Sequence, residues 1–365
     1  MLYNILSLSL NIPSLHILEK IGFDAAINRS AVLLDITDES HIRRNFPRVY
    51  PLGLGISSTS PLRMARAFAV FGNQGRVVTP IAIREILDRN GRVVFDVERD
   101  VRQRQRQMAN NGQIITPQNA FVMTRLLEFG VTAGTLGLGT RNGAKFNYTD
   151  SSGRTFRMPV AGKTGTTQNW SDAWVVGYTP YYTTALWYGF DKPGNSLGTH
   201  QTGAELGGPV WGDYMSEIHR GLPHKAFVRP SGVSDASVCR GSGLLPTQSC
   251  PGSIYLTFLS GTIPSRYCDM HGTASQFPGS GITSSLTDFS NIDTTFLQGI
   301  GVLSINMDLF GDLPQSTRAP AVQVHETFDD EEYHWDTPFD IDELHGTTAP
   351  GNDSNTHLQP WDQLN

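Results

Sequence analysis

Between positions 158 and 191 the chain consists almost wholly of β-branched, aromatic and small residues interrupted by short turns, and this run limits the possible folds more than any other. Met158-Pro159-Val160-Ala161-Gly162 leads into Lys163-Thr164-Gly165-Thr166-Thr167. Asp172-Ala173-Trp174-Val175-Val176-Gly177-Tyr178 follows, then a Thr179-Pro180 turn and the largely apolar run 183–190. Side chains of this kind suit a pleated, half-buried surface. Connections this short join antiparallel neighbours, because a parallel pair needs a crossover of a dozen or more residues. Three antiparallel strands are therefore expected. Residues 203–221 then put Leu206, Val210, Trp211, Tyr214 and Ile218 on one helical face. A sheet followed by such a helix implies layers, so the expected class is α/β (α+β), an antiparallel sheet layered with helices.

Upstream, the polar cluster 57–60 precedes Pro61, a cap followed by a first-turn proline. Leu62, Ala65 and Ala69 share one face until Gly72 and Gly75 end the helix. Thr116-Pro117 opens another helix, apolar at Val122, Met123, Leu126 and Leu127 up to Gly130. Near the start, Pro13 suits a first helical turn with Asn11 or Ile12 as the cap. Runs 77–87 and 91–95 flank Asp88-Arg89-Asn90-Gly91, where Asn-Gly is expected to supply the positive φ values of a tight hairpin. The arginine- and glutamine-rich stretch 98–113 reads as a basic loop. It lacks the interleaved aromatic residues of a nucleic-acid surface. Gly134-Thr135-Leu136-Gly137-Leu138-Gly139 is no phosphate cradle, since neither Lys-Ser/Thr nor a preceding strand accompanies it.

The formal net charge of −6 conceals a division. Residues 277–365 hold 15 acidic residues and one basic one, Arg318, whereas the 276 before them carry a net +8. The acidic part, rich in Asp, Thr, Ser, Pro and Gly, buries too little apolar surface to offset chain ordering and is expected to be disordered. No run of about 18 apolar residues occurs, and no secretory leader is visible. Cys239, Cys250 and Cys268 are the three cysteines, and His271 follows the last of them closely. They permit one disulfide and a free thiol, or a four-ligand zinc site. The spacing Cys-x10-Cys-x17-Cys-x2-His lacks paired CxxC knuckles, so a disulfide ranks first and zinc second.

The chemistry lies in two short motifs. Lys163-Thr164-Gly165 on a strand puts an ammonium and a hydroxyl where a substrate carboxylate could bind, and the glycine lets the substrate lie against the backbone. The N–H of Thr166 would serve as half of an oxyanion hole. Ser9-Leu10-Asn11 sets a hydroxyl and an amide two residues apart, able to relay a proton; capping of the next helix is the plainer reading of the same residues.

With these motifs come Thr59-Ser60-Pro61-Leu62-Arg63-Met64-Ala65-Arg66-Ala67-Phe68, Gly134-Thr135, Asp172-Ala173-Trp174, Gly177-Tyr178-Thr179-Pro180, the run from Thr202-Gly203 to Trp211, and Cys239-Arg240-x-Ser242-Gly243 through Gly261-Thr262-x-Pro264 to Cys268 and His271. In this order and spacing, residues 1 to about 272 resemble the transpeptidase region of class A (bifunctional) penicillin-binding proteins. The resemblance implies a penicillin-binding protein/β-lactamase-like fold and a serine acyl-enzyme that cross-links peptidoglycan stem peptides ending in D-Ala-D-Ala. It implies Ser9, Asn11, Lys163 and Thr166 as catalytic residues and Thr164, Gly165 and Thr167 as substrate-binding ones, with no cofactor and no metal. Implied partners are stem peptides, lipid-linked glycan strands and β-lactam antibiotics, with no nucleic acid. The implied location is the periplasmic face of the bacterial cell membrane. The expected division is 1–224 as a partial transpeptidase domain, 225–272 as a small Cys-containing module and 273–365 as an acidic tail. Matching the cysteine segment to that module favours the disulfide.

One element is absent. The family's nucleophile is the serine of Ser-x-x-Lys, yet the residues three before the five lysines are Ile17, Asn142, Val160, Gly189 and Leu222. The resemblance thus implies that the nucleophile, the opening strands of the sheet, a glycosyltransferase domain and a membrane anchor precede Met1. The strand at 183–190 is then expected to present an apolar, unpaired edge, with poor solubility of the isolated chain. A non-catalytic scaffold is an alternative, as is a serine carboxypeptidase or β-lactamase relative. The chain contains no Glu-x-x-x-Asn deacylation pair of the class A lactamase kind.

Overall fold

The computed structural model describes residues 2–192 and 194–271; the stretch 273–365, expected to be a disordered tail, lies outside the described residues. Helices come first: α1 (Leu2–Ser7), α2 (Asn11–Ile21), α3 (Phe23–Leu34), α4 (Glu39–Asn45) and α5 (Pro61–Gly72). A hairpin of β1 (Glu85–Leu87) and β2 (Val93–Asp96) precedes α6 (Val97–Gln107), α7 (Pro117–Thr132) and the single turn α8 (Gly137–Thr140). Then come the hairpin β3 (Asn147–Thr149) and β4 (Thr155–Arg157), the strands β5 (Ala161–Thr166), β6 (Ala173–Tyr178) and β7 (Thr183–Tyr188), helix α9 (Gly208–Ile218), and the hairpin β8 (Val233–Cys239) and β9 (Ser253–Leu259).

The capping signals act as read. The Ser60 side chain accepts the Arg63 N–H at 3.3 Å and Thr116 accepts that of Asn119 at 3.3 Å, each followed by its proline in the first turn. Elsewhere the structure differs from expectation. The stretch read as a basic loop forms α6. Asp96 caps it through the Arg99 N–H at 2.8 Å, and Glu98 holds Arg84 at 2.9 Å and, one turn on, Arg102 at 2.6 Å. Such a helix has no apolar stripe to reveal it, only acidic residues in its first turn and arginines in its last. In the β1–β2 turn only Gly91 takes a positive φ, 77°, while the Asp88 carboxylate accepts the N–H groups of Asn90 and Arg92 at 2.7 and 2.9 Å. At α2 the cap position falls to Leu10, and Pro13 lies inside the first turn.

The three expected strands form one antiparallel sheet in the order β5-β6-β7, with Ala161 opposite Tyr178, Thr166 opposite Ala173, and Ala173 in turn opposite Tyr188. Because side chains alternate, Val175 points to one face and Tyr178 to the other. On the first face Val175 joins Trp211 and Met215 of α9 with Val131, Leu136, Phe146, Met158 and Val160. On the second, Ala161 and Tyr178 pack with Leu127 and Met123 of α7 and Phe68 and Phe71 of α5. Two glycines permit this closeness. A Cβ on Gly177 would lie 2.5 Å from the Trp211 ring, and one on Gly130 of α7 would lie 2.5 Å from the carbonyl oxygen of Gly162. Strand β7 pairs with β6 alone among the described residues, so its outer edge is unpaired there, as expected.

The β8–β9 hairpin attaches to α7 through Gln118, which donates to the Ser231 carbonyl at 2.9 Å, and through Arg229, stacked over the Phe121 ring. The disulfide favoured for its cysteines is not formed. Cys239, Cys250 and Cys268 are free thiols, Cys239 and Cys268 buried, and all three gather with His271.

Candidate active site

The outer edge of β5 is the place where the two motifs meet. The N–H of Thr167 donates to the Asp172 carbonyl at 3.1 Å, which fixes the hydrogen-bonding phase of the β5–β6 ladder. In an antiparallel pair the phase alternates, so the N–H and C=O groups of Gly162, Thr164 and Thr166 point away from β6. Helix α7 covers that edge at Gly162, through Gly130. At the other end of the strand Thr166 is exposed, its N–H directed outward as an oxyanion donor requires.

Lys163 lies between these points. Its Nζ donates to the Ser9 hydroxyl at 2.7 Å and to the outward carbonyl of Thr164 at 2.6 Å, and no carboxylate among the described residues pairs with it. Burial lowers its pKa from 10.5 to about 8, because the charged ammonium is held largely out of water. The result is an unneutralised cation beside a hydroxyl, 154 residues apart in sequence. Ser9 reaches this position through the turn between α1 and α2. The Thr135 N–H donates to the Ser7 carbonyl at 2.9 Å, and only a glycine fits at 134, where a Cβ would stand 2.3 Å from that carbonyl oxygen. Ser9 itself takes φ 56°, a left-handed conformation uncommon for residues other than glycine and one often found at functional positions.

The other candidates fall into place unequally. The Thr164 hydroxyl is largely buried and lies 2.6 Å from that of Thr135, a residue not singled out for the site from sequence. Only its place in the Gly134-Thr135 run pointed to it. Gly165 has Gly203 packed over it: a Cβ on Gly203 would meet the Gly165 oxygen at 2.5 Å, and the Gly203 N–H donates to the Thr166 hydroxyl at 3.1 Å. Thr167, expected to bind substrate, has its side chain in the β5–β6 turn. Its hydroxyl donates to the Asp172 carboxylate at 2.8 Å and accepts the Asp172 N–H at 2.8 Å, so it closes the β5–β6 turn. Trp187 donates to the other oxygen of that carboxylate at 2.8 Å. Asn11, exposed at the first position of α2, makes no hydrogen bond to Ser9 or Lys163. The arrangement therefore brings together Ser9, Lys163, Thr164, Thr135 and the Thr166 N–H.

Comparison with known proteins bears on the same segments. Residues 35–195 match the penicillin binding protein transpeptidase domain, and residues 229–273 match the C-terminal domain of penicillin-binding protein 1A. Penicillin-binding protein 1A of Clostridium tetani is 35% identical over 224 residues, 60% of this chain and 25% of that protein. That of Clostridium botulinum (strain Langeland) is 32% identical over 269 residues, 72% of this chain and 29% of that protein. The chain thus spans between a quarter and a third of these relatives. The crystal structure of penicillin-binding protein 1A from Haemophilus influenzae shares the fold, with a TM-score of 0.58 at 23% identity, over 73% of this chain and 41% of that one. Ser9 and Asn11 precede the matched transpeptidase segment, so Ser9 is tied to the site by its hydrogen bond to Lys163.

Proposed function

The chain belongs to the penicillin-binding protein family, and we propose that it supplies the Lys-Thr-Gly side of a peptidoglycan D,D-transpeptidase site working through a serine acyl-enzyme. The observation that carries this reading is the Lys163–Ser9 hydrogen bond at the open end of β5, beside the outward N–H of Thr166. A stem peptide ending in D-Ala-D-Ala would lie along the free edge of β5, its terminal carboxylate drawn to Lys163 and the Thr164–Thr135 hydroxyl pair. The Thr166 N–H would donate to the carbonyl oxygen as negative charge develops there. Ser9, held by Lys163, would pass a proton to the departing D-alanine amine. The acyl group would then move to an amine of a neighbouring stem. A β-lactam would enter by the same carboxylate contact.

The acylated serine belongs to a Ser-x-x-Lys pair, and no lysine of this chain follows a serine by three. The reading therefore makes the site a composite, its nucleophile on a segment other than residues 1–365. Stem peptides and lipid-linked glycan strands as partners, the periplasmic membrane face as location, and 1–224 and 225–272 as separate domains belong to the same proposal. Among the described residues no helix is long and apolar enough to cross a membrane.

Fluorescent penicillin tests it. The chain alone is expected to remain unlabelled. Mixed or co-expressed with a transpeptidase segment bearing Ser-x-x-Lys, it should permit acylation of that segment's serine, slowed about 100-fold or more by Ser9→Ala or Lys163→Ala. Covalent label on this chain, or acylation indifferent to Lys163, would overturn the assignment.

A further inference from the structure

We propose that Cys239, Cys250, Cys268 and His271 form a structural zinc site that holds the small module together. Three segments deliver the ligands: the end of β8 (Cys239), the β8–β9 connection (Cys250) and the chain after β9 (Cys268 and His271). Their ligand atoms all lie within 4.8 Å of one another, and His271 Nδ1 is 3.4 Å from Cys239 Sγ and 3.2 Å from Cys268 Sγ. Zn–S bonds of about 2.3 Å and Zn–N bonds of about 2.0 Å place the corners of a tetrahedron roughly 3.5–3.8 Å apart. The two His271–sulfur distances lie close to those separations, and the remaining pairs, all within 4.8 Å, need at most a small contraction to meet them. A disulfide would join two of the sulfurs and leave the third thiol and the imidazole without purpose in the same cluster.

The surroundings are those of a thiolate site. The backbone N–H of Gly241 is directed at Cys239 Sγ at 3.4 Å, and that of Thr247 at Cys250 Sγ at 3.3 Å, donors that stabilise negative sulfur. A Cβ on Gly241 would stand 3.0 Å from the His271 ring, so this glycine lets the β8 end close over the imidazole. The segments are pinned to each other independently: the Cys268 N–H donates to the Leu245 carbonyl at 2.8 Å, and the Cys239 N–H to that of Leu244 at 2.8 Å.

The module also has little apolar core of its own. A two-stranded hairpin is marginal by itself. From 229 onward, among the described residues, the buried apolar side chains are Val238, Cys239 and Cys268, two of them ligands. Small modules of this kind rely on a metal or a cross-link in place of a core. Three thiolates and one imidazole, with no open position, describe a structural ion that has no part in chemistry.

The full chain, purified with reductant and without added metal, should take up Co²⁺ with the visible d–d bands and sulfur-to-metal charge transfer of a tetrahedral thiolate complex. Zinc should displace it at about one equivalent per chain. Unfolded in a chelator without reductant, the zinc-loaded chain should yield three reactive thiols. Cys250→Ser should shift the charge-transfer band and weaken zinc retention about 10-fold or more, while Ser260→Ala, at the opposite end of the hairpin from Cys239, should leave both unchanged. No tetrahedral cobalt spectrum from the reduced wild-type chain, or a single reactive thiol in the chain as isolated from cells, would overturn the proposal. The spectrum of the wild-type chain decides even where a variant does not fold.

Discussion

The layered sheet and the cysteine module put polar residues to opposite uses. Around β5–β7 apolar side chains pack on both faces, Trp211, Met215 and Val175 on one side and Tyr178, Leu127 and Phe68 on the other. Ser9 and Lys163 stand outside it, joined to each other and to no counter-ion among the described residues. In the module the polar cluster occupies the place of the core, with the sulfurs of Cys239 and Cys268 among its few buried groups. A site supported by a separate core can keep an unfavourable charge; a site that is the core cannot lose a member without losing the fold.

The largest test of that contrast is Trp211→Ala. Trp211 is buried, donates to the Thr184 carbonyl at 3.4 Å and lies against Gly177, where no other residue fits. Its truncation is expected to cost about 3–5 kcal/mol in denaturant unfolding. Amide protection should collapse across β5, β6 and β7 together. A change restricted to α9 would mean that the sheet does not depend on this face.

A smaller, local loss is expected from the other side of the comparison. Chelator treatment, or Cys268→Ser, should remove hydrogen-exchange protection from β8 and β9 while leaving the amides of β5–β7 as slow as before. The two regions touch where α7 meets β9, with Gln118 and Arg229 among the contacts. Loss of protection throughout the chain would merge the regions into one cooperative unit and end the contrast.

Sequence disclosed the two regions to different depths, for physical reasons. The sheet was legible because β-branched runs and short turns leave few other options, and α5 and α7 because Ser60-Pro61 and Thr116-Pro117 mark helix starts. Helix α6 was not, since its stability comes from Asp96, Glu98 and arginine pairing with no apolar period to follow. Lys163 and Ser9 could be named as motifs, but their contact depends on Gly134 docking the α1–α2 turn, which no local pattern encodes. The bond from the Thr167 hydroxyl to Asp172, five residues on, was not legible, since it depends on how the β5–β6 turn closes. Cys239, Cys250, Cys268 and His271 could be named as a possible four-ligand set, but their long spacings favoured a disulfide, and only the folded chain brings all four together.

The subtlest test concerns the charge that the sheet tolerates. The folded state holds the Lys163 pKa near 8, below its ordinary 10.5, because burial penalises the ammonium. Below about pH 8 the lysine is protonated in both folded and unfolded chains, and the burial cost is present in full. Between about 8 and 10.5 the folded chain releases its proton while the unfolded chain retains it, so stability rises with pH across that window. Above it both forms are neutral and the cost is gone. Lys163→Met carries no such charge. Its advantage in melting temperature over the wild type should therefore be greatest at neutral pH and shrink steadily toward pH 10.5, by a margin smaller than either preceding effect. The same deprotonation removes the cation that would receive a substrate carboxylate, so reversible binding of a β-lactam should weaken through the interval in which the wild type gains stability. Parallel curves for the two proteins would show that Lys163 carries its charge without cost, and the site would then resemble an ordinary solvated surface more than a charge supported by a separate core.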